Sequence, residues 1–523
     1  MTCNNSSVIP SSPFSPIAIL FLDTADSDLC SFLEEAHALI QEAHSLVAAV
    51  ENDLNAHALR KKAIRVADAE WHENKTLRLP DIPEPAHGPE QPLVLMEGRP
   101  RTPAYVVLIA MLLRGYVAAG FKSSDVASSM VESITLRVFF TNLGFKMPGR
   151  STLTELVNAV TNETRLLVLD AQLARALHLK LDDFKTILQD STHVEGNTAW
   201  PTDSRLMVDL VSRLIRVGES LDRVHLAPIK LGQVRTLLAK MVRLNREIEF
   251  SHGKKDGART RCQHYKKLLR MSKQIHVLVS QEMAPLAEAA KALDLRPSQR
   301  EMADRTVEHL HADLEALDKV CAACEARVLR EEKVPMSQKI LSLSDPDAGF
   351  ISKGQREPVI GYKPQIARTG AGFIAGLHLP QGNAPDSKQL VAMIDDVIAR
   401  TKVIPTVVSV DDGYSSADNV SALKSRLINV ISINGAKGRA LTSRADWESE
   451  AYAQARDKRS AVESLMFTLK HGFDFGEVAR RGLTAVYAEL LEKALAYNMC
   501  VMIRLHNAAV VATAEVEPTE VAA

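Results

Sequence analysis

The chain has few cysteines, no long apolar run and no large excess of either charge. Its six cysteines, at positions 3, 30, 262, 321, 324 and 500, are too scattered for a disulfide framework, which fits a reducing compartment. The longest apolar stretch, 105–113, is about half of the roughly 20 residues that cross a bilayer, so we expect no membrane span. No Lys or Arg precedes the apolar run 17–22, so we expect no secretory signal and a cytoplasmic location.

The net charge of −1 argues at first sight against a nucleic-acid partner, but the charge is uneven along the chain. Residues 205–273 hold 17 Lys and Arg against 6 Asp and Glu. Cations on one surface bind duplex phosphates, because this releases the counterions of the DNA. The segment therefore predicts DNA binding that does not depend on the base sequence. The alternative is an ordinary solvated helix face. The candidate contacts in its densest part are Lys254, Lys255, Lys266 and Lys267.

Acidic residues follow two apolar runs that are typical of strands. The run 184–188 leads to Asp190, and the run 406–410 leads to Asp411. A later segment with helical periodicity carries Glu463. Carboxylates fixed at strand ends suit a hard divalent cation, which needs oxygen donors held in place. This order of acids predicts metal-dependent phosphoryl transfer.

Two basic residues share the predicted helix with Glu463. Arg459 lies four residues before it and Lys470 seven after, so all three project from one helical face. Cations in these positions would contact the phosphates of a bound strand beside the acids. The alternative for the Arg459 and Glu463 pair alone is a weak surface ion pair.

These motifs resemble the DDE transposases of bacterial insertion sequences. The resemblance rests on Asp190-Ser-Thr-His-Val with Trp200-Pro-Thr-Asp-Ser, on Asp411-Asp-Gly-Tyr, and on Arg459-x3-Glu463-x6-Lys470. An upstream segment, 133–137 and 148–153, is similar to their N-terminal domain. Members with a tyrosine three residues before the arginine would place it at 456, where this chain has arginine. That departure affects the subgroup and leaves the acids unchanged.

The resemblance implies an enzyme that cuts at the inverted ends of its element and joins 3′ hydroxyls to target DNA. It implies catalysis and metal binding by Asp190, Asp411 and Glu463, with two Mg²⁺ ions for which Mn²⁺ substitutes. It also implies three partners, namely element-end DNA with inverted repeats, target DNA and a second copy of the chain in a homodimer on DNA, together with association with the nucleoid. The implied DNA contacts are Arg459, Lys470, Trp200, Arg137 and Arg150, besides the four lysines.

Several alternatives stay open at this point. An RNase H-like nuclease without strand transfer and a catalytically idle DNA-binding descendant are the rival functions. Other residues carry two interpretations each: Asp412 as a substitute for Asp411, His193 and Glu195 as extra metal ligands, Trp200 as a base platform or a core cap, and Cys321 with Cys324 as a metal pair or ordinary helix residues.

The pattern predicts an α/β protein that is interrupted by a large helical insertion and preceded by an all-helical N-terminal domain. The resemblance implies that the α/β part is an RNase H-like catalytic core. The predicted parts are a disordered segment 1–27, a long helix with its flank 28–79 for oligomer contact, a Pro-rich linker 80–101, a helical DNA-binding domain 102–180, the core 181–204 and 334–505, the basic insertion 205–333 and a disordered tail 506–523. Whether 102–180 forms a helix-turn-helix reader or a plain packing domain stays open.

Finer predictions concern single elements. We expect one helix over 28–71, one over 151–178 and one over 447–471, each from apolar residues at steps of three and four. Apolar runs at 340–343, 358–367 and 372–379 predict strands. Gly370-Ala-Gly372 predicts a hairpin turn, since a dinucleotide loop would need a glycine at 375.

Overall fold

A computed structural model describes residues 24–76, 102–116, 128, 130, 132–221, 231–251, 253, 255–352 and 357–516. The predicted segment 1–27, the linker 80–101 and Lys254 lie largely or wholly outside these residues. Within the described ranges, no helix combines the length and the apolar character that crossing a membrane requires. The chain divides into two units, the first made of the described residues up to 57, from 102 to 197 and from 347 onwards, and the second of 58–76 and 198–346.

The described elements before the first strand are all helices. The predicted helix 28–71 is two helices, because the chain leaves helical geometry at residues 43 and 44. The predicted helix 151–178 is also two, since Val160 is extended and the Thr161 hydroxyl caps a new helix by accepting from the Thr164 N–H at 3.3 Å. The helices are α1 (Thr24–Glu42), α2 (Ser45–Thr76), α3 (Ala104–Arg114), α4 (Ile134–Asn142), α5 (Arg150–Ala159) and α6 (Asn162–His178).

Two strands follow, and then the insertion. Strand β1 (Thr186–Ser191) begins later than the apolar run predicts, because Phe184 has a φ of 54°, outside the β region. Strand β2 (Val194–Glu195) is short. The insertion consists of α7 (Asp203–Leu221), α8 (Leu231–Glu249), α9 (Gly257–Ala292) and α10 (Pro297–Cys324).

The second unit is helical and has its own core. Apolar residues of α7 to α10 pack together, with Met207, Met241, Leu268 and Leu310 wholly buried. The strand predicted at 340–343 is absent, because Ile340 and Leu343 instead pack against this helical core. Their apolar character therefore reflects helix contact and not sheet formation.

The chain then returns to β structure. The strands and helices are β3 (Gly349–Ile351), β4 (Val359–Tyr362), β5 (Gln365–Thr369), β6 (Ile374–His378), α11 (Leu390–Thr401), β7 (Val407–Asp411), α12 (Ala417–Ser425), β8 (Val430–Asn434), α13 (Ala436–Leu441), α14 (Arg444–Trp447), α15 (Glu450–Asp457), α16 (Ser460–Gly472) and α17 (Leu483–Val516). The run 358–367 divides between two strands, and Gly370–Gly372 lies in the predicted hairpin turn between β5 and β6.

The prediction of one continuous helix over 447–471 is wrong. Ser449 caps α15, because its hydroxyl accepts from the Tyr452 N–H at 3.2 Å. A second break, at Arg459, precedes α16. The predicted tail from 506 begins too early, since α17 continues to Val516.

The first unit is built on a mixed sheet of five strands in the order β6-β5-β1-β7-β8. Strands β6, β5 and β1 are mutually antiparallel, whereas β1, β7 and β8 run parallel. A smaller sheet has the order β2-β4-β3. Helix α17 packs against β6 and against α1, α3 and α6. The described helices of 102–178 lie in the same compact unit as the sheet.

A buried charge network holds α17 in this unit. Glu492 accepts from Arg165 Nη2 and from Arg480 Nη2, each at 2.6 Å, and lies 3.6 Å from Arg114. Burial raises the pKa of Glu492, and the three arginines outweigh this effect and lower it to about 2. The carboxylate therefore joins α3, α6 and the loop before α17 at one point.

We predict that Glu492→Gln destabilises the first unit by about 3–5 kcal/mol, because it leaves buried guanidinium groups without their counter-ion. Trp447 is the single tryptophan of this unit, so its fluorescence in a Trp71→Phe, Trp200→Phe background reports urea unfolding of the unit. A lowered folded-state pKa stabilises above the ordinary value of 4.5, so the difference from the parent should shrink as pH falls from 4.5 towards about 2.

The matched control is Glu448→Gln, which removes an exposed ion pair with Arg444 and should change stability by less than about 1 kcal/mol. Equal unfolding midpoints for the two variants would contradict the importance of the buried network.

Candidate active site

The parallel pairing of β1 with β7 places two acids side by side. Leu188 is paired with Ser409, and Asp190 and Asp411 each lie two residues further along their strands. Because side chains alternate along a strand and neighbouring strands lie about 4.8 Å apart, the two carboxylates project from the same face of the sheet at the same level. Asp190 is buried, and Asp411 ends its strand. The strand-end placement of both acids agrees with the prediction.

Helix α16 brings the third acid to this edge through Arg459. The helix packs on β1 with Val462, Leu465 and Leu469 buried. Arg459 Nη1 lies 2.9 Å from Glu463 Oε1, and its Nη2 lies 3.5 Å from Asp190 Oδ2 and 3.8 Å from Asp411 Oδ2. The guanidinium group is therefore in contact with all three predicted acids. This contact joins residues that are 273 positions apart along the chain, from 190 to 463.

The position of Arg459 has electrostatic consequences. Its side chain is 19% exposed, so its attraction to the carboxylates is screened less than that of a surface pair. Among the residues that the structure describes, none accepts a hydrogen bond from its buried Nε. A guanidinium group has five donors. Arg459 therefore keeps donor capacity beyond its contacts with the acids.

Lys470 also points towards the end of β1. Its ammonium nitrogen lies 3.4 Å from His193 Nε2, and His193 follows Asp190 by three residues. An ammonium group only donates, so the Nε2 atom acts as acceptor in this contact. His193 is thereby placed against Lys470, which differs from the metal-ligand role considered for it. Glu195 lies in β2, where its backbone pairs with Gly476 and Val478.

Sequence reasoning missed a polar cluster around Tyr414, three residues after Asp411. The Tyr414 hydroxyl donates to Gln365 Oε1 at 2.5 Å, and Gln365 Nε2 donates to Asp386 at 2.7 Å. Asp386 is also paired with the buried Lys363 at 2.9 Å. Burial raises the pKa of Tyr414 well above its ordinary value, with the nearby acids adding to the shift. The motif tyrosine was the single sequence signal for this cluster.

The structure distinguishes the two neighbouring aspartates. Asp412 caps α13, accepting from the Gly438 N–H at 2.8 Å and the Lys437 N–H at 3.3 Å. Burial raises the pKa of Asp412, but these backbone donors outweigh it, so the net shift is downward. A Cβ on Gly435, whose φ is 140°, would come within 2.4 Å of the Asp412 carboxyl carbon. Asp412 is thus a structural cap, whereas Asp411 faces Arg459.

The two aspartates fit a divalent cation better than Glu463 does. Asp190 and Asp411 offer oxygen donors from adjacent strands, and their contacts with a guanidinium group mean that positive charge is accommodated between them. Within the described ranges, no three His, Cys, Asp or Glu side chains are close enough to hold one ion. Glu463 is paired with Arg459 and its side chain is 64% exposed. Asp190 and Asp411 therefore fit a divalent cation, whereas Arg459 would have to release Glu463 before Glu463 could bind one.

Other predicted contacts belong to the second unit. Trp200 is 56% exposed and lines a cavity of about 350 Å³. Arg205, Arg213 and Arg216 line the same cavity, together with Ser342 and Ser344. An exposed ring at a cavity is not the core cap that was the alternative for Trp200. Lys255, Lys266 and Lys267 are all exposed, the last two on α9.

Two predicted DNA contacts lie on the N-terminal helices. Arg137 on α4 and Arg150 at the start of α5 are exposed.

The two neighbouring cysteines are buried. Cys321 and Cys324 lie in the helical core, and burial raises the pKa of Cys321 to about 12. A thiol that stays protonated is a poor metal ligand, so the ordinary helix interpretation is favoured. Arg456 lies over the Trp447 ring, 5.5 Å from its centroid.

The first unit is therefore a mixed α/β unit with three acids gathered around one arginine at a sheet edge. Residues 341–499 match the family model of the transposase DDE domain. This match confirms the resemblance to the DDE transposases of insertion sequences. No curated protein and no solved structure matches the chain.

The matched residues include Asp411, Arg459, Glu463 and Lys470 but not Asp190. Asp190 joins the others through the strand register and the contact with Arg459.

Proposed function

We propose that the protein is a DNA transposase that cuts at the inverted ends of an insertion sequence and joins 3′ hydroxyls to target DNA. The observation that carries this proposal is the contact of one guanidinium group with Asp190, Asp411 and Glu463, the last two inside the matched transposase domain. These are the three acids that the resemblance assigns to catalysis. A catalytically idle descendant would have no reason to keep them together.

The strand arrangement supports an RNase H-like core. Three antiparallel strands come first, followed by two parallel strands separated by helix α12. The acids lie at the ends of the first and fourth strands of this sheet, counted along the chain, and on a later helix. This is the arrangement that the sequence pattern led us to expect for that core.

Asp190, Asp411 and Glu463 would hold Mg²⁺, or Mn²⁺ in its place. Bound divalent ions supply a nucleophilic oxygen and neutralise charge on the leaving 3′ oxygen. The chain itself positions the strand: Arg459, once released by the acids, would donate to a phosphate, and Lys470 would contact a neighbouring one.

The second unit provides candidate DNA contacts. Lys255, Lys266 and Lys267 offer exposed cations for duplex phosphates, and Lys254 adjoins them in the sequence. The Trp200 cavity combines an aromatic ring with three arginines, which suits a nucleobase and its phosphate. Arg137 and Arg150 are exposed candidates on the N-terminal helices. A homodimer would bring two element ends together on the nucleoid.

The first test is cleavage. Asp190→Asn, Asp411→Asn and Glu463→Gln should each abolish nicking of element-end DNA in Mg²⁺, because each removes a proposed metal ligand. DNA binding should be nearly unchanged, since none removes a phosphate contact. Gel-resolved nicking and a binding titration measure the two effects separately.

The matched control for cleavage is Asp412→Asn. It should keep nicking activity while losing about 1 kcal/mol of stability, because Asp412 caps α13. Nicking by the parent protein in the presence of a chelator, or loss of nicking in Asp412→Asn alone, would refute the assignment of the acids.

The second test separates a transposase from a plain nuclease. Arg459→Ala and Lys470→Ala should reduce joining of a labelled end to a plasmid more than they reduce nicking. Joining requires two DNA molecules aligned at once, so misplacement of a strand lowers the effective molarity. Arg444→Ala, which alters an exposed arginine, is the control. If the parent protein nicks DNA but never joins an end to the plasmid with any divalent ion, it is a nuclease and the transposase proposal fails.

The third test concerns the basic insertion. Replacing Lys255, Lys266 and Lys267 by Ala should weaken binding to all DNA sequences and flatten the dependence of log K on log salt by roughly 0.9 per lost contact. The control replaces three scattered exposed lysines, Lys185, Lys319 and Lys424. If both triple variants keep the parent slope, the insertion has an ordinary solvated face.

A further inference from the structure

Helix α16 carries an exposed aromatic ring beside the acids. Its buried residues are Val462, Leu465 and Leu469, which face the sheet. The opposite face exposes Phe467, with 67% of its surface accessible. Phe467 follows Glu463 by four residues, so the two side chains are neighbours on one helical face. A large apolar ring therefore lies one turn from a proposed catalytic acid.

The ring is partly oriented by the helix itself. The Phe467 and His471 rings have centroids 4.2 Å apart and planes inclined by 45°. This contact covers a small part of the ring and leaves most of it open to solvent. An aromatic side chain has two rotatable bonds, so holding its orientation reduces the entropy lost when a planar ligand stacks on it.

The residues around Phe467 indicate which class of ligand its ring would bind. Lys470 lies three residues after it, and Arg459 two turns before it. An exposed ring on the same helix face as cations is the combination with which proteins bind unpaired nucleotides, since cations attract the phosphates and every base has a flat face for stacking. A protein partner would be expected to cover a wider apolar area. The other exposed residues of α16 are all polar, namely Ser460, Glu463, Ser464, Thr468 and His471.

We propose that Phe467 is a stacking platform for an unpaired nucleobase at the DNA end held by the acids. The assignment rests on the proposed function, because that function brings a DNA end to Glu463. The cations hold the backbone, and the ring contacts the base that loses its partner. Phe467 is thus a substrate-binding residue that the sequence motifs do not include.

The experiment uses the full chain in a chelator, so that no cleavage occurs. The probe is a short duplex whose 3′ end carries unpaired nucleotides including 2-aminopurine, compared with a fully paired duplex of the same length. The parent should quench 2-aminopurine by stacking. Phe467→Ala should abolish quenching and weaken affinity for the unpaired probe about 5- to 150-fold, and it should leave the paired duplex unaffected.

Three further variants complete the design. Phe467→Trp should restore quenching and affinity, whereas Phe467→Leu should not, because it retains an apolar side chain without a flat ring. Leu427→Ala is the matched control, since Leu427 is 75% exposed and precedes β8, at the opposite end of the parallel strands from Asp411. It should behave as the parent.

Three results would overturn the inference. In the first, Phe467→Ala lowers the affinity for both probes equally. In the second, it leaves the affinity for the unpaired probe unchanged. In the third, the parent forms a concentration-dependent dimer that Phe467→Ala dissociates without any change in quenching. The last would assign the ring to an interface between copies of the chain. If the cleavage test fails but quenching is intact, the proposed transposase activity is refuted and the stacking role of Phe467 is retained. The two proposals can therefore fail separately.

Discussion

The parallel pairing of β1 with β7 is the constraint on which the candidate site depends. Its register brings Asp190 level with Asp411, although 220 residues separate them in the chain. A shift of one residue would turn one of these carboxylates to the other face of the sheet, because side chains alternate along a strand. The pairing is fixed on both sides, by β5 along one edge of β1 and by β8 along the outer edge of β7. The acids are therefore positioned by backbone hydrogen bonds before any of their own contacts form.

Arg459 adds a second level of organisation to this edge. Three carboxylates on neighbouring elements repel one another, and the guanidinium group offsets that repulsion through contacts of 2.9, 3.5 and 3.8 Å. The same group keeps Glu463 from approaching the two aspartates. Under the proposed function, divalent ions and Arg459 would be alternative counter-ions for these carboxylates, and a phosphate would accept hydrogen bonds from the displaced arginine. Assembly of the site and binding of DNA would then favour each other.

The sequence predicted the positions of the acids better than the continuity of the helices. Asp190, Asp411, Glu463 and Arg459 could be found because strand-end acids and a helical spacing leave clear local patterns. Breaks such as those at Thr161 and Ser449 depend on a single capping hydroxyl inside a continuous apolar period, so periodicity alone did not locate them. The cluster around Asp386 was missed for a different reason: Lys363, Gln365 and Tyr414 meet only in the folded sheet. The apolar run at 340–343 was misassigned because helix packing and strand formation favour the same residues.

The insertion leaves and re-enters the first unit at one place. The Asn197 amide donates to the Ala479 carbonyl at 2.7 Å, and Asp347 accepts from the Leu483 N–H at 2.8 Å, so both ends are tied to the start of α17. During synthesis, β1 emerges long before β5 and β7, its partners in the sheet. At ordinary translation rates this delay is on the order of ten seconds. A buried strand must remain unpaired for that time, and the early folding of the helical insertion would shorten the distance that its partners have to search.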